Sequence, residues 1–182
     1  EESANIIISN TRKCVSKNDI LHIVGDVALD EHWLKRIEEI PCRKILYPGN
    51  YDRLSPSIYE KYFETVIESN NLIAIDDDND KIIRLYLVHY PSKSVVGVDL
   101  NLVGHIHGAW KCQKGMLNVG VDIHHFCPLD VKKVLFYYNG ICNFYDEDVW
   151  VAGHPANRVH DNRGKKGTYW QSSFAGTAAK GQ

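Results

Sequence analysis

The chain has 182 residues and a mass of 20.8 kDa, with 44 % hydrophobic and 24 % charged residues, the composition of a globular domain with a sizeable core. Disordered, collagenous and coiled-coil chains are excluded, and no apolar run approaches the roughly 20 residues of a membrane helix. The formal net charge of −2 points by itself to no nucleic-acid partner.

The charge is unevenly spread. Residues 1–150 carry 16 basic and 22 acidic side chains, and residues 151–182 carry 5 basic and 1 acidic. The expected organisation is one domain over residues 1–145, followed by a basic, partly flexible tail over 146–182. Glu1-Glu2-Ser3 has no secretory-signal pattern, and the missing initial Met suggests a chain that is processed, cut or rearranged. The five cysteines, Cys14, Cys42, Cys112, Cys127 and Cys142, are odd in number and form no CxxC pair. They are expected to be small buried apolar residues in a reducing, cytoplasmic compartment rather than a disulfide framework or a zinc site.

In chain order, Glu1–Val15 has apolar residues at helical spacing and predicts a helix. Ile20–Val24 is a short buried strand ending in Gly25-Asp26. Asp30 is an N-cap for a helix with Trp33, Leu34, Ile37 and Ile40 on one face, stopped at Pro41. Lys44–Tyr47 is a second buried strand, and Ser55-Pro56 start a further helix. Leu72–Ile75 and Ile82–Val88 flank the acidic turn Asp76–Asp80 and predict a hairpin. Asp99–Val103, Met116–Val121 and Lys133–Tyr138 are read as further strands. The expected class is α/β, with two packed sheets and helices outside.

The chemistry-bearing residues sit at strand ends. Val24-Gly25-Asp26, Pro48-Gly49-Asn50 and Val103-Gly104-His105 share one design, an apolar strand, a Gly and a ligand-type residue, and the strand Leu85–Val88 ends in His89. A Gly lets the chain turn sharply as it leaves a strand. The next side chain then lies at the carboxyl edge of the sheet, where open α/β sheets bind ligands. His105 and His107, two apart in an extended segment, would point the same way. An Asp, an Asn oxygen and imidazoles form a mixed N/O donor set that suits Mn, Fe, Zn or Mg.

The ordered set Gly25-Asp26, Gly49-Asn50, His89 and Gly104-His105-Ile106-His107 resembles the calcineurin-like metallophosphoesterase superfamily. The stretch Leu117-Asn118-Val119-Gly120-Val121-Asp122 resembles that of its small bacterial and phage members. The likeness runs from about residue 5 to residue 138. It implies a two-layer β-sandwich flanked by helices, with one or two divalent metals at the strand ends. It implies that Asp26 bridges the metals, that Asn50, His89 and His105 complete the second site, and that His107 belongs to the first. Two metals ~3.5–4 Å apart activate a hydroxide and clamp a phosphoryl group for in-line attack, so the implied activity is hydrolysis of phosphate mono- or diesters, including nucleotides.

Two departures qualify this expectation. The family's first strand ends in Asp-x-His, and no such triplet precedes Gly25-Asp26 in this chain. Where the family usually has Gly-Asn-His-Asp or Gly-Asn-His-Glu, this chain has Gly49-Asn50-Tyr51-Asp52. Tyr51 would donate a hydrogen bond in place of the His proton donor, although a phenol of pKa ~10 is a poor shuttle near neutrality. Asp52 would orient the segment around Tyr51. One well-held metal and one weak or absent metal are therefore expected. The alternative is a degenerate member that keeps the fold without chemistry and serves as a binding or structural module.

Weaker candidates remain. His124 and His125 are either substrate contacts or plain loop histidines. His154, His160 and Asp161 could supply missing ligands from the tail, or belong to a surface segment. Lys165-Lys166 with Tyr169, Trp170 and Phe174 mix charge and aromatic rings as single-strand nucleic-acid binders do, but they are too few to carry that function.

Overall fold

The structure, a computed structural model, describes residues 2–77 and 81–145. The tip of the acidic turn and all of the tail candidates, His154, His160, Asp161 and Lys165 to Phe174, lie outside the described residues. The chain divides into two compact units, Glu1–Tyr138 and Asn139–Gln182. In the second unit the described residues are the last turns of a helix, with Asn143 Nδ2 donating to the Asn139 carbonyl at 2.8 Å.

The first unit opens with helix α1 (Glu2–Cys14), which has Glu2 in its first turn and Arg12 and Lys13 in its last. This distribution complements the helix dipole. Only Thr11 of the helix is buried, so α1 lies on the surface of the unit. Asn10 extends from it to donate to the carbonyls of His125 and Phe126 at 3.4 and 3.3 Å.

Strand β1 (Ile20–Ile23) runs parallel to β2 (Arg43–Leu46), which runs parallel to β3 (Thr65–Val66), in the order β1-β2-β3. The β1–β2 crossover carries helix α2 (Glu31–Lys35) and a 3-10 turn over Arg36–Glu39. As expected, Asp30 caps α2, its carboxylate accepting the Trp33 N–H at 2.9 Å. The β2–β3 crossover carries the single-turn helix α3 (Pro56–Tyr59). Leu34, Ile37, Ile40, Cys42, Leu46, Tyr59 and Phe63 form one buried cluster, against which Leu21 and Ile23 pack. This burial of apolar residues from strands and crossovers holds the βαβ units together.

The second sheet has the order β4-β5-β6-β8-β7. The expected hairpin is present as β4 (Leu72–Asp76) antiparallel to β5 (Ile82–Val88). Strand β6 (Leu100–Val103) is buried at every residue and parallel to both β5 and β8 (Met116–Asn118), while β7 (Cys112–Gln113) pairs antiparallel with β8. The protein is thus a mixed α/β fold with two sheets.

Three expectations need correction. Lys133–Tyr138 is not a strand but part of helix α4 (Val131–Phe144). The Asp130 carboxylate accepts the Lys133 N–H at 2.7 Å, and the buried residues Val134 and Tyr138 lie four apart, so the burial period is that of a helix. The β-branched and aromatic run had suggested a strand. Second, β3 and β7 were not foreseen, because a two-residue strand has no periodicity to detect. Third, all five cysteines are free thiols, but only Cys42 is buried, while Cys14 and Cys142 are exposed. Burial pushes the Cys42 thiol pKa upward. No helix among the described residues is long and apolar enough to cross a membrane.

Candidate metal centre

Because β1 and β2 are parallel, as are β5 and β6, each pair delivers its carboxyl ends to one edge. The residues that follow, Asp26, Asn50, His89 and His105, come together there. One ligand atom from each of Asp26, His89 and His105 lies within 4.8 Å of the others, so these three could hold a metal ion. The Asn50 Oδ1 atom sits between the two rings, 3.0 Å from His89 Nε2 and 3.1 Å from His105 Nδ1. His89 Nε2 is also 3.2 Å from Asp26 Oδ2.

His89 is the buried centre of this group. Its Nδ1 lies 2.9 Å from the Val24 carbonyl oxygen, which can only accept. Nδ1 therefore carries a proton, and in the neutral ring Nε2 presents its lone pair. That lone pair faces a carboxylate oxygen and an amide oxygen, both acceptors. Three converging acceptors repel one another unless a cation lies among them, and the N/O donor chemistry fits a divalent metal. The bond from the second ring nitrogen to a backbone carbonyl is the usual support of a metal-binding His.

The loops that carry these residues are tied together by Asp52. Its Oδ2 accepts the N–H groups of Asp26 and Gly49, each at 2.7 Å, and its Oδ1 accepts that of Val27 at 3.0 Å. The Asp26 Oδ1 atom accepts the Tyr51 N–H at 2.9 Å. One carboxylate thus pins the end of β1 to the end of β2.

Two glycines are required by close approach. A Cβ on Gly25, which has φ +79°, would stand 2.5 Å from His89 Nδ1 and 2.7 Å from Gly49. A Cβ on Gly49 would collide with Asp26 Oδ1 and stand 2.9 Å from His89 Cε1. The His89 ring is therefore seated against bare backbone.

The other predicted site residues fall elsewhere. His105 and His107 have φ values of +70° and +46°, so their segment is not extended and the two rings do not share a face. His105 joins the cluster, whereas His107 Nδ1 pairs with Asp122 Oδ2 at 2.8 Å. The Tyr51 side chain is exposed. His124 is buried and its Nε2 donates to the Asn118 carbonyl at 2.8 Å, while His125 is exposed. Burial holds the His124 pKa below its ordinary value.

Two supporting residues were not assigned a role from sequence. Asn118 is fully buried. Its Nδ2 donates to the carbonyls of His107 and Trp110 at 2.7 and 2.9 Å, and its Oδ1 accepts the Gly120 N–H at 2.9 Å. It fixes the loop that follows His105. The Tyr90 ring lies 4.5 Å from that of His105 and 5.0 Å from that of His89, centroid to centroid. The available signals were a polar residue at a strand end and an aromatic residue beside a ligand-type His.

No family model matches the chain, and no curated protein matches it. The chain is similar in fold to a solved structure from Aquifex aeolicus, the protein of unknown function AQ665, with a TM-score of 0.57 at 21 % identity over 75 % of this chain and 86 % of that one.

Proposed function

We propose that this protein is a metal-dependent phosphoesterase of the calcineurin-like type, hydrolysing phosphate mono- or diesters, and that its two sheets are the layers of that fold. The observation that carries the reading is the convergence of Asp26 Oδ2, Asn50 Oδ1 and the Nε2 lone pair of His89, with His105 beside Asn50. Asp26, Asn50, His89 and His105 would hold the metal. When bound, a divalent ion supplies Lewis-acid activation of water and offsets charge on a phosphoryl group. Asp26 contributes the negative charge of the site. Asn50 and the imidazoles are neutral, which leaves the loaded site net positive and suited to an anionic ester. The donor set accepts Mn, Fe, Zn or Mg.

A second reading, a binding or structural module on the same fold, draws on His107 and Tyr51. His107 is engaged with Asp122, and Tyr51 stands where a His proton donor would be expected. The deciding experiment is hydrolysis of an activated aryl phosphodiester with Mn, Zn, Fe or Mg added in turn. Turnover that needs metal and disappears in Asp26→Ala supports the enzyme. No turnover with any of the four metals favours the module.

A further inference from the structure

The described residues include five arginines. Four of them pair with a carboxylate: Arg12 and Arg36 with Glu39, Arg43 with Glu64, and Arg84 with Asp99. Arg53 makes no ion pair among the described residues. Its Nε instead donates to the backbone carbonyl of Asn50 at 2.8 Å, and its own N–H donates to the Tyr51 carbonyl at 2.9 Å. The side chain is therefore tethered to the residue whose Oδ1 lies between His89 and His105.

Such a tether has a chemical consequence. A guanidinium is a planar fork of five N–H donors, and the bond at Nε orients the plane. The Nη groups have no bonded acceptor among the described residues and lie on an exposed side chain. The carboxylates of the two joined loops are committed elsewhere, since Asp52 accepts three backbone N–H groups and Asp26 faces Tyr51 N–H and His89. A pre-oriented cation without a counter-charge, beside a group of metal-type ligands, is the arrangement that receives two oxygens of a phosphoryl group.

A second cation stands over an aromatic ring that packs on the site. Lys93 is exposed, makes no ion pair among the described residues, and has Nζ 5.2 Å from the centroid of Tyr90, whose ring packs on His105. Its strongly hydrated ammonium has no comparable tether, so it adds positive field without a fixed direction.

We propose that Arg53 is the phosphoryl-binding residue of this site, gripping the non-bridging oxygens of a phosphate ester through its Nη groups while Nε stays bonded to Asn50. The inference rests on the phosphoesterase reading and adds to it a specific anion contact. It also explains why a site lacking the His of the second motif would still orient its substrate.

The test compares the full-length wild type with Arg53→Gln and Arg53→Lys. Manganese content is measured by elemental analysis, and binding of inorganic phosphate to the Mn-loaded proteins by calorimetry. Arg53→Gln is expected to keep its manganese and bind phosphate roughly tenfold to hundredfold more weakly, with Arg53→Lys in between. Unchanged phosphate binding in Arg53→Gln overturns the proposal and leaves the phosphoesterase reading standing. Loss of manganese together with phosphate also overturns it, because Arg53 would then be only a clamp on the Asn50 loop. A Mn-loaded wild type that binds no phosphate overturns the phosphoesterase reading, and this inference with it.

Discussion

The His89 ring bonds through Nδ1 to the Val24 carbonyl, 2.9 Å away, and so joins the end of β5 in one sheet to the end of β1 in the other. This bond selects the tautomer and turns the Nε2 lone pair towards Asp26 and Asn50. The same contact is structural and chemical. It closes the edges of two sheets, and in the neutral ring it leaves the Nε2 lone pair available to a ligand role.

The first prediction concerns metal content. His105 lies in the cluster, and His107 is bonded to Asp122 instead. His105→Ala should lose most of the metal held by the wild type, while His107→Ala should lose little. Elemental analysis of both variants checks this. Equal losses would mean that His107 leaves Asp122 to become a ligand.

The Asp52 carboxylate accepts three backbone N–H groups from two loops. Hydrogen bonds to a charged group contribute about 1.5–3 kcal/mol each, and they are not additive. Asp52→Ala should therefore lower the unfolding free energy by at least about 2 kcal/mol in a urea titration. Asp52→Asn should cost less, because one amide oxygen can still accept from Asp26 and Gly49. A neutral Asp52→Ala would show that the β1 and β2 ends are held by other contacts.

Gly25, Gly49 and Gly115 separate steric demand from backbone demand. Added Cβ atoms at Gly25 and Gly49 meet His89, Asp26 or facing backbone, whereas one at Gly115, with φ +69°, meets nothing within 4 Å. Gly115→Ala should cost only the left-handed conformation, about 1–2 kcal/mol. Gly25→Ala and Gly49→Ala should cost more and also reduce metal binding. Thermal melts with metal analysis on the three variants test the order, and equal melting temperatures would contradict it.

Burial lowers the pKa of both His22 and His124 below the ordinary value near 6.5. His22 Nδ1 lies 2.9 Å from the Tyr47 hydroxyl, and His124 Nε2 bonds the Asn118 carbonyl. Burial makes both harder to protonate in the fold, so between the folded and unfolded pKa values the unfolded chain binds more protons. Stability is then full above about pH 6.5 and falls as the pH drops below it. His124→Gln, which keeps an N–H donor for Asn118, should flatten part of this fall in denaturation measured from pH 7.5 to 5. An unchanged slope in that variant would remove His124 from the account.

Much of the architecture is legible in the order of residues. The apolar runs Ile20–Val24 and Leu85–Val88, the Asp30 cap and the Ser55-Pro56 start each state a local preference that the fold keeps. Gly25-Asp26, Gly49-Asn50, His89 and Gly104-His105 mark strand ends, and parallel pairing needs only that local pattern to gather them at sheet edges. Run 133–138 misled because β-branched and aromatic residues suit a strand and a buried helix face equally. The Asp130 cap and the packing of Val134 and Tyr138 favoured the helix.

What the chain determined by itself was which residue types stand at which strand ends. Only the tertiary structure decided which of them meet. His105 and His107 are two residues apart and chemically identical, yet a left-handed turn sends one to Asn50 and the other to Asp122. Asn118 and Asp52 hold such turns through bonds to backbone groups, and Arg53 is distinguished from four other arginines by what lies beside it. These are contacts between segments distant in sequence or within irregular loops. They depend on the position of backbone N–H and C=O groups, which every residue possesses and no one-letter pattern records.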